Sequence, residues 1–404
     1  MSQFRNYFEV GPTKISVETT KMQSNKLRMA IRSTAAVAIL GVAGHAHALT
    51  LDVGDDVEAS LYGFARLNMS YDFDGDRAVS TRAGSFTPAD EDVTGHFGAD
   101  AQQSRIGVKT THSSGASITV EGDFRGTGNA AGSLRIRHAY GEYKGLMAGR
   151  NWSNYNSFVG NTAVLDFDGL AGTAGAQDRT EQVRYTTGAM SFSLEDPLSQ
   201  SILDTAGTDG VSDDSRTSMP VFTARIEDSA DGLSYSAAAL VGQVTADNGD
   251  DDDSVISYGV FGAAKFALTD MISVQGALNY SDGATGYLWR SGSNYTGASA
   301  YLDGDSVESI EGYGGSVGMG FDMGGGRSVN VGYGMTKLDL DDAVDAGQTT
   351  TAAAEMNQNV MVNYMWTPVQ NVMMGVEYAY LDQETIAGDS TDANRVMFAA
   401  QYNF

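Results

Sequence analysis

Val396-Met397-Phe398-Ala399-Ala400-Gln401-Tyr402-Asn403-Phe404, the last nine residues of the chain, read as one extended strand. Side chains of a strand alternate with period 2, so Val396, Phe398, Ala400, Tyr402 and Phe404 share one face while Met397, Ala399, Gln401 and Asn403 share the other. An apolar face opposite a small, partly polar one suits a wall with lipid outside and water inside. Outer-membrane β-barrels finish on such a strand, and the closing Phe404 is expected to act as the assembly signal. Periodicity alone also fits a half-buried soluble strand, so the rest of the chain has to decide.

The 404 residues include no cysteine, five prolines, 49 glycines and 19 tyrosines. A membrane-spanning helix needs about 18 or more consecutive apolar residues, and nothing after the first fifty residues approaches that. Any crossing therefore falls to strands. The one continuous apolar run, Ala35 to Gly44, follows Lys26, Arg28 and Arg32 and precedes Ala46-His47-Ala48. A basic segment, a short apolar segment and a small-x-small site make a secretory signal peptide cleaved after Ala48. Residues 1–21 lack that pattern, which places the expected initiator at Met22 or Met29. Without residues 1–48 the chain keeps 19 bases against 49 acids, a net charge near −30. That acidity argues against nucleic acid as a partner, since phosphate binding needs clustered Lys and Arg. Export and absent cysteine together fit an envelope protein that needs no disulfide.

Residues 49–57 read as a short periplasmic lead and 58–404 as one all-β domain. Alternating runs fall roughly at 58–73, 101–112, 116–125, 132–143, 146–153, 180–187, 189–195, 217–227, 233–245, 254–267, 271–281, 306–322, 327–338, 355–366, 370–382 and 393–404. These sixteen runs are joined alternately by tight turns such as Lys144-Gly145 and by long connections such as 154–179 and 282–305. Short periplasmic turns, long extracellular loops and an even strand count define a transmembrane antiparallel barrel of the bacterial outer membrane. In 327–338, for example, Val329, Val331, Tyr333 and Met335 alternate with Asn330, Gly332, Gly334 and Thr336. No fixed sequence period supports a solenoid.

With the apolar face toward lipid, Arg66, Arg105, Lys109, Arg135, Arg137, Arg184 and Arg225 point into the lumen; near the midplane a lipid-facing Arg or Lys would cost about 2–4 kcal/mol. Fourteen of the 19 bases lie at or before Arg225, so one wall is richer in cations. Guanidinium groups bind carboxylates in bidentate fashion, so this ladder is expected to select small anions; the plainer alternative is a solvated barrel wall. The connection 154–179, the third extracellular loop, carries Phe158, Val164, Leu165, Phe167 and Leu170, unusually apolar for an exposed loop. It is expected to fold inward as a constriction, with Asp166 and Asp168 facing the arginines. The acidic runs Asp72 to Asp76, Asp250 to Asp253 and Asp339 to Asp342 lack the register of a twelve-residue calcium loop, and suit solvation or divalent bridging to lipopolysaccharide.

Enzymatic barrels exist, but the mature chain has only His96, His112 and His138, with no nucleophile context such as G-x-S-x-G. His138 has the parity of the outward Leu134 and Ile136. A passive channel with no chemical step and no cofactor is the leading reading; a sugar channel, hinted at by Tyr62 and Phe64, an outer-membrane enzyme and an adhesin barrel are the alternatives.

Ser104-Arg105-Ile106-Gly107-Val108-Lys109-Thr110, Val120-Glu121-Gly122-Asp123-Phe124, Leu134-Arg135-Ile136-Arg137-His138-Ala139-Tyr140-Gly141-Glu142 and Gly149-Arg150-Asn151-Trp152-Ser153 resemble the DcaP-like porins of Gram-negative bacteria. Leu165-Asp166-Phe167-Asp168-Gly169 and Gln182-Val183-Arg184-Tyr185 are similar too, and the likeness is clearest over about 104–186. The resemblance implies a homotrimer of sixteen-stranded barrels admitting small anionic solutes, dicarboxylates among them, with lumen arginines at Arg105, Arg135, Arg137 and Arg184 and the constriction at 154–179. Some members carry a long helical segment before the barrel, whereas about ten residues separate Ala48 from the first strand here. A trimer would then rest on barrel walls alone. The bilayer, lipopolysaccharide and the barrel assembly machinery complete the expected partners.

Overall fold

A computed structural model describes residues 49–404 apart from 53, 55, 75–93, 127–131, 199, 209–214 and 293–294. The signal peptide expected at 1–48 lies outside the described residues.

Sixteen antiparallel strands close into a barrel: β1 Val57–Asp74, β2 Arg105–His112, β3 Ser117–Gly126, β4 Ser133–Tyr143, β5 Leu146–Trp152, β6 Arg179–Thr187, β7 Met190–Glu195, β8 Val221–Ala230, β9 Leu233–Asp247, β10 Asp252–Ala267, β11 Ile272–Asp282, β12 Glu311–Gly324, β13 Arg327–Leu338, β14 Ala354–Val369, β15 Val372–Thr385 and β16 Ser390–Asn403. Each strand pairs with the next, and β16 closes on β1 from Phe64↔Asn403 to Asp72↔Arg395. Closure leaves the barrel wall no free edge, which a sheet in lipid requires. Period-2 alternation is visible in exposure: Leu134, Ile136, Val183, Leu278, Tyr313, Val331 and Val376 stand outward and open, while Asn68, Asp123, Gln275, Asn359 and Gln401 are buried on the inner face.

Two tight turns show how sequence sets register. Lys144-Gly145 and Asp231-Gly232 take positive φ at both residues. That geometry matches strand twist in two-residue hairpins, joining Tyr143↔Leu146 and Ala230↔Leu233.

The structure departs from the sequence reading in four places. The run at 101–112 begins at Arg105; residues Thr94–Asp100, read as loop, form a separate strand along the upper half of β1, with 101–104 between the two pieces. The run at 306–322 is two strands, because Ser306–Ser309 joins Ile202–Thr208 and Ala300–Asp303 in a small three-stranded sheet and only Glu311 onward enters the barrel. Leu49–Asp52, read as part of the lead, pairs antiparallel with Glu58 to Leu61. Finally, a bulge in β4 sets Arg137 and His138 against Glu121 alone, so His138 turns inward and is 9 % exposed rather than following Leu134 and Ile136 outward.

Candidate functional site

Alternation along β3 sends Glu121, Asp123 and Arg125 inward, and the neighbouring β2 and β4 send Arg105, Arg135 and Arg137 to the same wall. Arg135 Nε meets Asp123 Oδ1 at 2.7 Å. Arg137, 1 % exposed, bridges Glu121 Oε1 at 2.7 Å and Asp123 Oδ2 at 3.0 Å. The bulge is what permits this, since it lets Arg137 and His138 both face inward. Four guanidiniums among the described residues of this wall lie on rings: Arg105 over Phe64 at 5.1 Å, Arg125 over Phe167 at 4.0 Å, and Arg179 and Arg137 over Trp152 at 4.0 and 5.8 Å. Such contacts hold a planar cation in place without neutralising it. Among the described residues, Arg105 Nε, Arg125 Nη1 and Arg179 Nη1 are buried and find no hydrogen-bond partner. Among the described residues, these five guanidiniums share the wall with Glu121, Asp123 and Asp178, and Arg125 and Arg135 also act on Asp168 of the 154–179 connection.

The other residues singled out in the sequence divide into different roles. Arg66, 2 % exposed, donates to Leu165 O at 2.7 Å and Asn68 Oδ1 at 2.7 Å, so it ties β1 to the 154–179 connection. Arg184 donates to Trp152 O, and Arg225 donates to Asn156 O, so both bind the root of that connection. Lys109 stands exposed near the turn after β2, away from this group. Phe404 donates its backbone N–H to Gly63 O at 3.1 Å, and its ring lies close to Gly63.

The connection itself is hydrogen-bonded to side chains of strands far away in sequence. Its root is fixed by Glu195, which accepts from Ser153 Oγ and Asn154 N at 2.6 Å each. Beyond that, Asn279 donates to Gly172 O at 2.8 Å and accepts from Gly175 N, while Asn359 donates to Gly169 O and accepts from Ala171 N. Glu377, 2 % exposed, accepts from Leu165 N at 2.7 Å, Asp166 N at 2.9 Å and Asn363 Nδ2 at 2.9 Å. Leu165 then packs among Met365, Met373 and Met397. The wall beneath is thinned by glycine: a Cβ on Gly318 would stand 1.9 Å from Thr162 Oγ1, one on Gly334 2.2 Å from Ala171 O, and one on Gly375 2.8 Å from Leu165 Cδ2. Only glycine leaves room for a chain laid so flat on a sheet.

Asp166 and Asp168 do not simply face the arginine wall. Asp166 Oδ1 accepts from Asp168 N at 2.8 Å and lies 4.0 Å from Arg290 Nη1. Both carboxylates are buried, at 6 % and 5 % exposure, and neither Asp168 oxygen has a hydrogen-bond partner among the described residues. Burial and then the like charge of Asp166 push the Asp168 carboxyl up to about 7. Trp289 Nε1 and Arg290 Nη1, from the connection after β11, donate to Asp168 O and Gly169 O at 2.6 Å each.

Sequence reasoning passed over Arg125, Arg179, Arg290, Trp152 and Glu377. The first was legible, because Glu121, Asp123 and Arg125 share the parity that assigned Arg105 inward. The others act through partners on distant strands.

The model of the DcaP outer membrane protein family matches residues 52–404. No functionally curated protein sequence matches the chain. Among solved structures, the outer membrane channel DcaP of Acinetobacter baumannii is 27 % identical, with a TM-score of 0.76, 86 % of this chain and 98 % of that one covered. The anion-selective porin from Comamonas acidovorans is 13 % identical at TM-score 0.56, covering 86 % and 100 %. OmpF of Salmonella typhi, solved with daunomycin, is 14 % identical at TM-score 0.52, covering 88 % and 100 %. The last two likenesses concern the fold.

Proposed function

This chain belongs to the DcaP outer membrane protein family, and from that premise we propose that it is a passive, water-filled channel favouring small anions, dicarboxylates among them. Family and barrel are those of outer-membrane porin channels. The observation that carries the anion preference is the inner wall of β2 to β6, where Arg105, Arg125, Arg135, Arg137 and Arg179 outnumber Glu121, Asp123 and Asp178. Inside a narrow passage such near charges outweigh loop carboxylates that lie beyond a Debye length of about 8–10 Å. The 154–179 connection, seated across β11 to β15, serves as the constriction in this reading, with Asp166 and Asp168 on it. Export by residues 1–48, assembly as a homotrimer, insertion through the barrel assembly machinery and contact with lipopolysaccharide belong to the same proposal.

Solutes cross down their gradients with no chemical step and no cofactor. His138 sits against Trp152 and Tyr140 and 3.9 Å from Glu121, a packed position rather than that of a general base. A sugar channel needs open aromatic faces, whereas Phe64, Phe167 and Trp152 are covered by guanidiniums.

Reversal potential in a salt gradient across planar bilayers tests the reading. Anion selectivity is expected for the wild type. The pair Arg135→Ala and Arg137→Ala leaves Glu121 and Asp123 without those partners and shifts selectivity toward cations. Cation selectivity in the wild type that the double variant leaves unchanged refutes it.

A further inference from the structure

A long connection between strands is normally solvated, because buried backbone outside a sheet has to find a partner for every polar group. The connection after β11 breaks that rule. Ten consecutive residues, 283–292, are buried, although only Thr285–Tyr287 form a regular element, a single 3-10 turn. Its own side chains lace it together: Gly286 N and Gly297 N donate to Ser299 Oγ and Ser291 Oγ at 3.2 and 3.0 Å, and Ser291 Oγ donates to Thr285 O at 3.2 Å. Leu288 comes down on β12 where two glycines leave it room. A Cβ on Gly312 or Gly314 would stand 3.1 or 3.3 Å from its methyl carbons.

Two side chains of the barrel carry the backbone of this segment. Thr336 of β13 donates to Arg290 O at 2.9 Å, and Asn357 of β14 donates to Arg290 O at 2.8 Å and to Gly292 O at 2.7 Å. Both share the parity of the buried Asn330 and Asn359, opposite the outward Val331 and Val362. The segment also meets the 154–179 connection: Gly172 N donates to Trp289 O at 3.1 Å, in addition to the bonds from Trp289 Nε1 and Arg290 Nη1 to Asp168 O and Gly169 O. Beyond Trp289 the loop turns toward the arginine wall. The Trp289 ring lies 5.8 Å from that of Tyr295, and Tyr295 stands within electrostatic reach of Arg135. Tyr295 is 37 % exposed and the Arg135 side chain 38 %, whereas Arg125, Arg137 and Arg179 of the same wall are buried.

We infer that the connection after β11 is a second pore loop, stacked on the 154–179 connection, and that Tyr295 faces Arg135 across the open part of the passage. What remains accessible decides the roles. The buried guanidiniums of the wall lie behind rings and carboxylates, so a solute meets the half-exposed Arg135 first and has the Tyr295 ring on its other side. Selectivity in a pore follows its lining charge and its diameter. Arg135 supplies the charge, and Tyr295 sets the width. A loop laced by its own hydrogen bonds and held at Arg290 O and Gly292 O keeps that width fixed. The inference rests on the channel reading for there to be a solute to sort; the seating of the loop does not, and the experiment separates the two.

The chain has no cysteine, so one introduced thiol reports its own surroundings. Tyr295→Cys is treated in planar bilayers with a negatively charged methanethiosulfonate reagent, and labelling is confirmed by mass spectrometry. The added sulfonate is expected to cut the anion current in discrete steps, whereas the same reagent on Asp250→Cys, in the exposed connection between β9 and β10, leaves the current unchanged. Tyr295→Ala should raise the permeability of a large organic anion such as gluconate relative to chloride, and Tyr295→Phe, which keeps the ring, should raise it less. Seating is read separately by amide exchange. Asn357→Ala removes the bonds to Arg290 O and Gly292 O, and exchange at Gly172, whose N–H is bonded to Trp289 O, should accelerate roughly tenfold. A conducting channel in which labelled Tyr295→Cys carries full current and Tyr295→Ala keeps the wild-type ratio of gluconate to chloride overturns the second pore loop while leaving the channel standing. Unchanged exchange at Gly172 overturns its seating whether or not the barrel conducts. A barrel that passes no ion current but shows the expected acceleration refutes the channel reading alone.

Discussion

Replacing Glu377 by alanine should free the 154–179 connection from the barrel wall without opening the barrel. The carboxylate accepts two backbone N–H groups, from Leu165 and Asp166, at 2.7 and 2.9 Å in a site 2 % exposed. Hydrogen bonds to a charged acceptor contribute about 1.5–3 kcal/mol each, so their loss weakens docking by roughly 3–6 kcal/mol. Burial of Leu165 among Met365, Met373 and Met397 contributes about 2 kcal/mol and survives, as do the bonds from Arg66 and Asn359. Even the lower bound corresponds to a hundredfold or greater rise in local opening, at about 1.4 kcal/mol per decade. Amide exchange at Leu165 and Asp166 should accelerate by that factor in Glu377→Ala and by less in Glu377→Gln, which keeps one acceptor oxygen. Strand amides of β1 and β16 should not change. Single-channel records should gain noise and conductance substates. Unchanged exchange at both amides would mean that Glu377 is not the latch, whatever the conductance does.

Three further outcomes follow from the same geometry. A buried Asp168 whose carboxyl sits near 7, against about 3.9 unfolded, holds its proton better in the native state, so stability falls as pH rises from about 4 to 7 and levels above that; thermal unfolding in detergent should follow this slope, and Asp168→Asn should flatten it. Gly334→Ala places a Cβ 2.2 Å from Ala171 O and should displace the connection, with faster exchange at Ala171, whereas Gly262→Ala, with nothing within 4 Å, should be silent. Removing Phe404 deletes the N–H bond to Gly63 and should lower the yield of heat-modifiable folded barrel, while molecules that do assemble conduct as before.

The barrel was legible because lipid and water impose opposite demands on alternate residues, and a two-residue period survives in single strands such as Val329 to Thr336. What interrupts the period was not. The bulge at Arg137 and His138 adds one residue and reverses the parity on which the outward reading of His138 rested. The strand Thr94–Asp100 hides behind the break at 101–104, and Ile310 parts Ser306–Ser309 from β12. In the candidate site, parity found Arg105, Arg135 and Arg137, yet their partners Glu121 and Asp123 depend on cross-strand register. Glu377 meets residues 212 and 211 positions earlier in the chain, a relation that no local pattern encodes.

The glycine floor under the 154–179 connection also orders the molecule's assembly in time. The connection emerges after β5, but Gly318, Gly334 and Gly375 lie on β12, β13 and β15, well over a hundred residues later. Until those strands are paired, the connection has no seat, and closing so long a loop is slow compared with forming hairpins. The connection can therefore seat fully only once β12 to β15 have paired with one another. Seating the connection is then a late, local step whose success reports that the last third of the sheet has been built in the correct register.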